Sequence, residues 1–220
     1  MGSDLSSVLR MLGASASVAP TALPMPATAL LRAAFIGFGL LALVGPWAGA
    51  AAQAGPPAGI AAYACREGSA LHLLAFDPAP GRQAWGHLGG QAEAGETPAR
   101  TALREFHEES NCAFGDLSGV QADLVGPSVA PGRSGFHTYG LRLPFVPAAQ
   151  IAQPRRCADV ERNQWVWVDH DELQQALDSP QVVLKTADGE PSQVVLWNAA
   201  RLALLQARRD GVLPVRDPCR

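Results

Sequence analysis

The stretch GGQAEAGETPARTALREFHEESNCAF, residues 89–114, decides how this chain reads. Thr97 suits a helix N-cap, and Pro98 suits the first helical position, where a missing N–H costs nothing. From Thr97 to about Ser110, Ala99, Ala102, Leu103 and Phe106 gather on one side at 100° per residue, so that side faces a core. Glu105, Glu108 and Glu109 gather on another, at i, i+3 and i+4. Like charges at that spacing cost a few tenths of a kcal/mol per pair. No Lys or Arg shares the face, and Arg104 stands at its edge, where it can pair with a carboxylate and fix its rotamer. A hard divalent cation removes the repulsion, and Mg²⁺ takes carboxylate oxygens together with substrate phosphate. The pattern predicts half of a metal site whose other half is a diphosphate.

The spacing carries a resemblance. The Nudix box reads G-x5-E-x7-R-E-U-x-E-E-x-G-U, with U bulky and aliphatic. Gly90, Glu96, Arg104, Glu105, Phe106, Glu108, Glu109 and Cys112 occupy its places in order, preceded by Gly89 and with Gly95 before Glu96. The chain therefore resembles a Nudix hydrolase over this loop and helix. Asn111 stands where the box has Gly, a place that wants a left-handed backbone, and Asn tolerates that best after Gly. Phe106 and Cys112 replace aliphatic residues and are expected in the core, which makes Cys112 a poor disulfide candidate.

The resemblance implies that Glu105, Glu108 and Glu109, with the Gly90 (or Gly89) carbonyl, hold Mg²⁺ or Mn²⁺. Glu96 and Arg104 would orient those carboxylates. Water would attack a phosphorus of a small diphosphate compound, such as a nucleoside diphosphate derivative. The general base would be Glu105, Glu109 or a distant Glu, of which Glu161 is the best placed. A Nudix-fold binding or regulatory module without turnover is the alternative. A diiron bundle would need Glu where Arg104 stands, and a zinc protease would need His where Asn111 stands. No Gly-x4-Gly-Lys-Ser/Thr run is present.

Outward from the helix, Gly59–Cys65 and Ala70–Phe76 read as a hairpin around Arg66–Ser69. Trp85–Leu88, part of Phe136–Val146 and Gln164–Val168 read as strands. Asp171–Leu177 reads as a helix capped by Asp169, and Val194–Arg208 as a last helix with Val195, Ala199, Leu202 and Leu205 on one face. This mixture predicts an α+β fold, an α/β/α sandwich with a mixed central sheet between helices. Trp85 and Tyr139 could stack on a base but are expected to pack at strands; His87 could line the pocket. Specificity is expected from loops 115–135 and 147–164.

The net charge of -3 argues against a nucleic-acid surface, which needs clustered Lys and Arg. After Arg32 comes the uncharged run AAFIGFGLLALV, then Gly45-Pro46 and the small residues AGAAAQA. That is the layout of an export signal with a site after Ala54. Twelve residues are fewer than the roughly 20 that span a bilayer, although counting on to Ala52 reaches that length. Residues 1–54 are thus expected to be a signal peptide or N-terminal anchor, the true start falling at Met25, and residues 55–220 the Nudix domain. Export, periplasmic or secreted, makes disulfides possible. No two of Cys65, Cys112, Cys157 and Cys219 form a CxxC motif; Cys65 with Cys157 or Cys219 is one reading, four free thiols the other.

Overall fold

The computed structural model describes residues 54–132, 135–154, 157, 161–179, 183–187 and 194–220. All of them belong to the compact unit Gly49–Arg220. The export segment and Met25 lie outside the described residues. Among the described residues, no helix is long and apolar enough to cross a membrane.

A mixed seven-stranded sheet forms the middle layer. The hairpin is β1 (Ala58–Arg66) and β2 (Ser69–Asp77), turning through Glu67 and Gly68, both at positive φ. The Trp85–Leu88 run is two short strands, β3 (Ala84–Gly86) against β2 and β4 (Leu88–Gly90) against β1. β5 (Val125–Val129) and β6 (His137–Arg142) follow, β6 lying parallel to β1. β7 (Trp165–Asp169) pairs antiparallel with β2. The path β3-β2-β1-β6-β5 carries β4 and β7 as side branches.

Side chains alternate across this sheet with period two, so each strand feeds two cores. Ile60, Ala62, Leu71, Leu73, Trp165 and Trp167 face the core shared with α1 (Pro98–Glu109), α2 (Ala148–Ile151) and the 3-10 turn Ser118–Asp123. Ala61, Leu74, Val166 and Val168 face the other, with α3 (His170–Asp178) and α4 (Asn198–Arg209). The run Trp165-Val166-Trp167-Val168 is buried on both faces, the tryptophans on one side and the valines on the other. The result is the expected α/β/α sandwich.

The last helix differs from its reading. Val194 and Leu196 are extended and bridge to Leu184 and Trp85, so α4 starts only at Asn198. Its buried stripe is Ala200, Ala203, Leu204 and Ala207, whereas Val195 and Leu202 are 46% and 43% exposed. Residues 194–196 spend their hydrogen bonds on strand partners, which removes Val195 from the helical period. Trp85 and Tyr139 are buried in the cores, as strand packing predicted.

Both pairs of cysteines are oxidised. Cys65 at the end of β1 is bonded to Cys219, Cα to Cα 5.6 Å, which ties the C-terminus to the sheet. Cys112 is bonded to Cys157, also at 5.6 Å, so the expectation that Cys112 packs as a core thiol is corrected. Asn111 and Cys112 are both left-handed, at φ 56° and 55°. Two such residues in succession turn Cys112 off the core, and Phe114 fills the place against Phe106 with ring centroids 5.5 Å apart.

The buried histidines His72 and His170 meet at 3.0 Å, Nε2 to Nδ1. His170 Nε2 lies 3.2 Å from the Val215 carbonyl, so it must donate there, leaving His170 Nδ1 to accept from His72. That chain needs a bare His170 Nδ1 as acceptor, and a second proton on His72 would add a charge to the buried interior. Burial, then the neighbouring His170, lowers the His72 pKa to about 3. The unfolded chain therefore binds a proton that the folded chain refuses between pH 6.5 and 3. The stabilisation is full above about pH 6.5 and is lost as pH falls through that window. Urea unfolding of the wild type and a His72→Gln variant between pH 4.5 and 6 checks this. The wild-type slope should be steeper by roughly 1 kcal/mol per pH unit; equal slopes would contradict the neutral pair.

Candidate active site

α1 begins where its sequence demands. Thr97 is extended, its hydroxyl accepts from the Arg100 N–H at 3.4 Å, and Pro98 takes the first turn. Phe106 and Ala102 anchor the helix in the core. This fixes the rotation that sends Glu105, Glu108 and Glu109 towards the end of β4.

Arg104 is the hub of the outer half. Its Nε and Nη2 donate to the two oxygens of Glu96, at 2.9 and 3.1 Å. Nη1 lies 3.0 Å from both Glu105 and Glu108, and Nη2 also donates to the Gln91 carbonyl at 2.8 Å. Glu96 accepts further from Glu93 N–H and Thr101 Oγ1. The Arg104 hydrogen bonds hold the Glu96 carboxyl down at about 2. One guanidinium thus locks the loop before the helix to two of the three helix carboxylates.

Glu109 is the inner half, 3% exposed. One oxygen accepts from the Gly89 N–H at 2.7 Å, the other pairs with Arg162 at 2.7 Å, and the Glu109 carbonyl accepts from Trp165 Nε1 at 2.7 Å. Burial pushes its pKa up to about 7, against the pull of Arg162 and Gly89. Glu105 is also raised, by burial first, with the charges of Glu108 and Glu161 adding to it against Arg104. Glu161 itself is exposed at the edge of this group. A Cβ on Gly90 would overlap the Glu105 carboxylate, and one on Gly89 would overlap the β1 backbone at Gly59. Only glycine lets the strand carbonyls come this close to the helix.

The donor set tests the expected cation. Glu105, Glu108, Glu109 and the Gly90 carbonyl are all hard oxygens, the chemistry that suits Mg²⁺ or Mn²⁺. With glycine at 90 the Glu105 carboxylate comes up against the strand, where any side chain would displace it. The donors fit the ion by type. In this structure the carboxylates are held by arginines, Glu105 and Glu108 on Arg104 and Glu109 on Arg162.

Beside Gly89 and Gly90 opens a cleft of about 270 Å³. β3, β4, the 130–131 loop and α4 enclose it, with Phe136, Trp197, Leu202, Arg82, Arg162 and His87 among its walls. His87 lines it, its ring edge-on to Phe136 at 5.3 Å and its Nδ1 without a partner. Burial, then Arg162, lowers the His87 pKa to about 4. Arg82 lies 6.0 Å over the ring of Trp197, which is 39% exposed.

Sequence reasoning missed Arg162 and Trp197. Arg162 links Asp77, at the end of β2, to Glu109, both at 2.7 Å. Its neighbour Glu161 drew attention because a distant carboxylate was sought; nothing local to Arg162 signals a partner 53 residues away. Asp77 is pushed up by burial but held below its usual range by Arg162, the Ala79 N–H and Arg82.

The NUDIX domain model matches residues 55–186, more than half of the chain, and the chain belongs to the Nudix family. No curated protein matches. Solved structures that it is similar to include a Nudix hydrolase from M. smegmatis, RenU: 17% identity, 73% of this chain and 87% of that one covered, TM-score 0.46. A MutT/nudix family protein from Enterococcus faecalis shows 15% identity over 71% and 61% of the two chains, TM-score 0.44. The nudix domain of Shewanella oneidensis NrtR, complexed with ADP ribose, shows 12% over 70% and 85%, TM-score 0.42. Family membership supports pyrophosphohydrolase activity in general, and Nudix enzymes generally use a divalent metal.

The Arg162 bridge has a measurable consequence. Arg162→Met leaves the buried Glu109 carboxylate without its cationic partner while Asp77 keeps Arg82, and breaking such a buried pair costs about 3–5 kcal/mol. Adding Glu109→Gln removes the buried charge and should recover a good part of that loss in urea unfolding. Additive losses would show that the bridge does not couple them.

Proposed function

We propose that the chain is a metal-dependent diphosphohydrolase, cleaving a diphosphate linkage in a nucleoside diphosphate derivative or similar small compound. One observation carries the reading. The helix carries three carboxylates, and two of them adjoin residues that line a cleft walled by Phe136 and Trp197: Glu105 beside Gly90, and Glu109 on Gly89 and Arg162. Such walls suit a planar ring, and the cation site beside them suits the phosphates. When bound, Mg²⁺ or Mn²⁺ supplies Lewis acidity and a more acidic water.

The chain's own residues do the rest. Arg104 holds Glu105 and Glu108 in register with Glu96. The Gly89 N–H fixes one oxygen of Glu109. Glu109 is one carboxylate placed to accept a proton from water, burial favouring its protonated form and a bound cation opposing it. Glu105 and Glu161 are the other candidate carboxylates, Glu161 being exposed. A binding module without turnover needs the cleft but not three intact carboxylates.

The assay is hydrolysis of a panel of nucleoside diphosphate derivatives by residues 55–220 with Mg²⁺ or Mn²⁺. Glu109→Gln should lower kcat by two orders of magnitude or more while the fold persists, and Glu161→Gln by less. A wild type that binds the cation and the compounds but turns over none would favour the binding module.

The chain is further proposed to act outside the cytoplasm. Residues 33–54 and the two disulfides support this, since oxidised pairs persist in exporting compartments. Fractionation of cells producing the whole chain should place a shortened, oxidised protein outside the cytoplasm. A full-length cytosolic protein would overturn it.

A further inference from the structure

The cluster His107, Cys112 and Cys157 lies at the C-terminal end of α1, on another side of the helix from Glu105 and Glu109. Among the described residues it is the one group of three or more His, Cys, Asp or Glu whose ligand atoms all lie within 4.8 Å of one another. The left-handed pair Asn111 and Cys112 folds the chain back, so that the Cys112 N–H reaches the His107 carbonyl at 2.9 Å. The same turn puts Cys112 Sγ 3.1 Å from His107 Nε2. Cys157 Sγ lies 3.8 Å from the His107 carbonyl. The other ring nitrogen, His107 Nδ1, has no hydrogen-bond partner, so the imidazole is committed to nothing but the sulfurs. All three residues are half-buried, and His107 and Cys112 border a broad groove of about 870 Å³ that opens to solvent.

We propose that, once the Cys112–Cys157 disulfide is reduced, these three side chains bind one Zn²⁺. Two thiolates and an imidazole are the donors of borderline and soft cations, whereas the all-oxygen set on the other side of α1 suits hard ones. The fourth position faces the groove, where water can complete a tetrahedron. With Zn–S distances of about 2.3 Å the two sulfurs stand roughly 3.8 Å apart. Side-chain rotation covers that change from the disulfide, because the Cα atoms are already 5.6 Å apart. The balance is simple. A dithiol, or a phosphine that takes up oxygen from water, reduces the S–S bond to two thiols, and Zn²⁺ releases their two protons to solvent.

The site has a structural use. Cys157 stands five residues before Arg162, which pairs with Glu109. Either the disulfide or the metal ties Cys157 to the turn that follows α1. Ligation by His107, Cys112 and Cys157 does not depend on the hydrolase reading.

The test is a Co²⁺ titration of the full chain, with Cys65→Ser and Cys219→Ser so that one pair remains. After phosphine reduction, one equivalent should give a thiolate-to-cobalt charge-transfer band and strong tetrahedral visible absorption, both abolished by one equivalent of Zn²⁺. The oxidised protein should give neither. Cys157→Ser should abolish the band, and His107→Ala should weaken Co²⁺ at least tenfold. Only weak absorption, as from six oxygen ligands, or an undiminished band in Cys157→Ser, would overturn the proposal. If the Cys65/Cys219 background does not fold, the wild type is titrated instead, with alkylation and mass mapping to show which pair has opened. A Cys112–Cys157 pair that resists every reductant concentration at which the protein stays folded would equally overturn it.

Discussion

The structure turns on a carboxylate placed where carboxylates are expensive. Glu109 is nearly inaccessible, and an isolated charge there would cost several kcal/mol. The protein meets that cost with groups from three separate parts of the chain: the Gly89 N–H from β4, Arg162 from the segment before β7, and through Arg162 the Asp77 carboxylate at the end of β2. Satisfying one buried group therefore fixes the relative positions of a helix, two strands and a loop. Glu109 remains easily protonated all the same, because burial outweighs its partners. Its backbone adds a fourth tie, the carbonyl that accepts from Trp165 on β7.

The sandwich explains why this arrangement sits beside a cleft. α1 packs on one face of the sheet and α4 on the other, and the two meet the short strands β3 and β4 from opposite sides. Because β4 pairs only over Ala58–Ile60, it ends at Gly90 and leaves the adjoining space open. Ala199 and Leu202 of α4 turn into that space instead of into the core. The glycines at 59, 86, 89 and 90 let neighbouring elements pack closely on these strands, since a Cβ at each would collide with backbone, Ala200 or Glu105.

Much of this was legible because its signals are local. The Thr97-Pro98 start, the apolar stripe of α1, the hairpin and the alternation of Trp165 to Val168 all concern residues within a turn or two of each other. Asn111 also behaved as its conformational preference required, and its side chain gained bonds to the Ile151 and Gln153 carbonyls. What was hidden is non-local. The partner of Arg162 is chosen by tertiary proximity, and so is that of Cys112. The register of α4 shifted because β3 claimed residues 195 and 197 for backbone pairing, which no helical period reveals. The residues of the box were legible as a set, but not the arginine that neutralises its most buried member.

Two chemistries share one helix without competing for ligands. The hard carboxylates at 105, 108 and 109 look towards β4 and the cleft, while His107 meets the sulfurs of Cys112 and Cys157. On a helix, positions two apart are about 200° apart, so His107 cannot share the face of Glu105 or Glu109. That separation lets the sulfur cluster change its bonding without exchanging a ligand with the carboxylates. The two groups draw on residues close in the chain: Cys157 is bonded to Cys112, and Arg162, five positions on, pairs with Glu109 and Asp77.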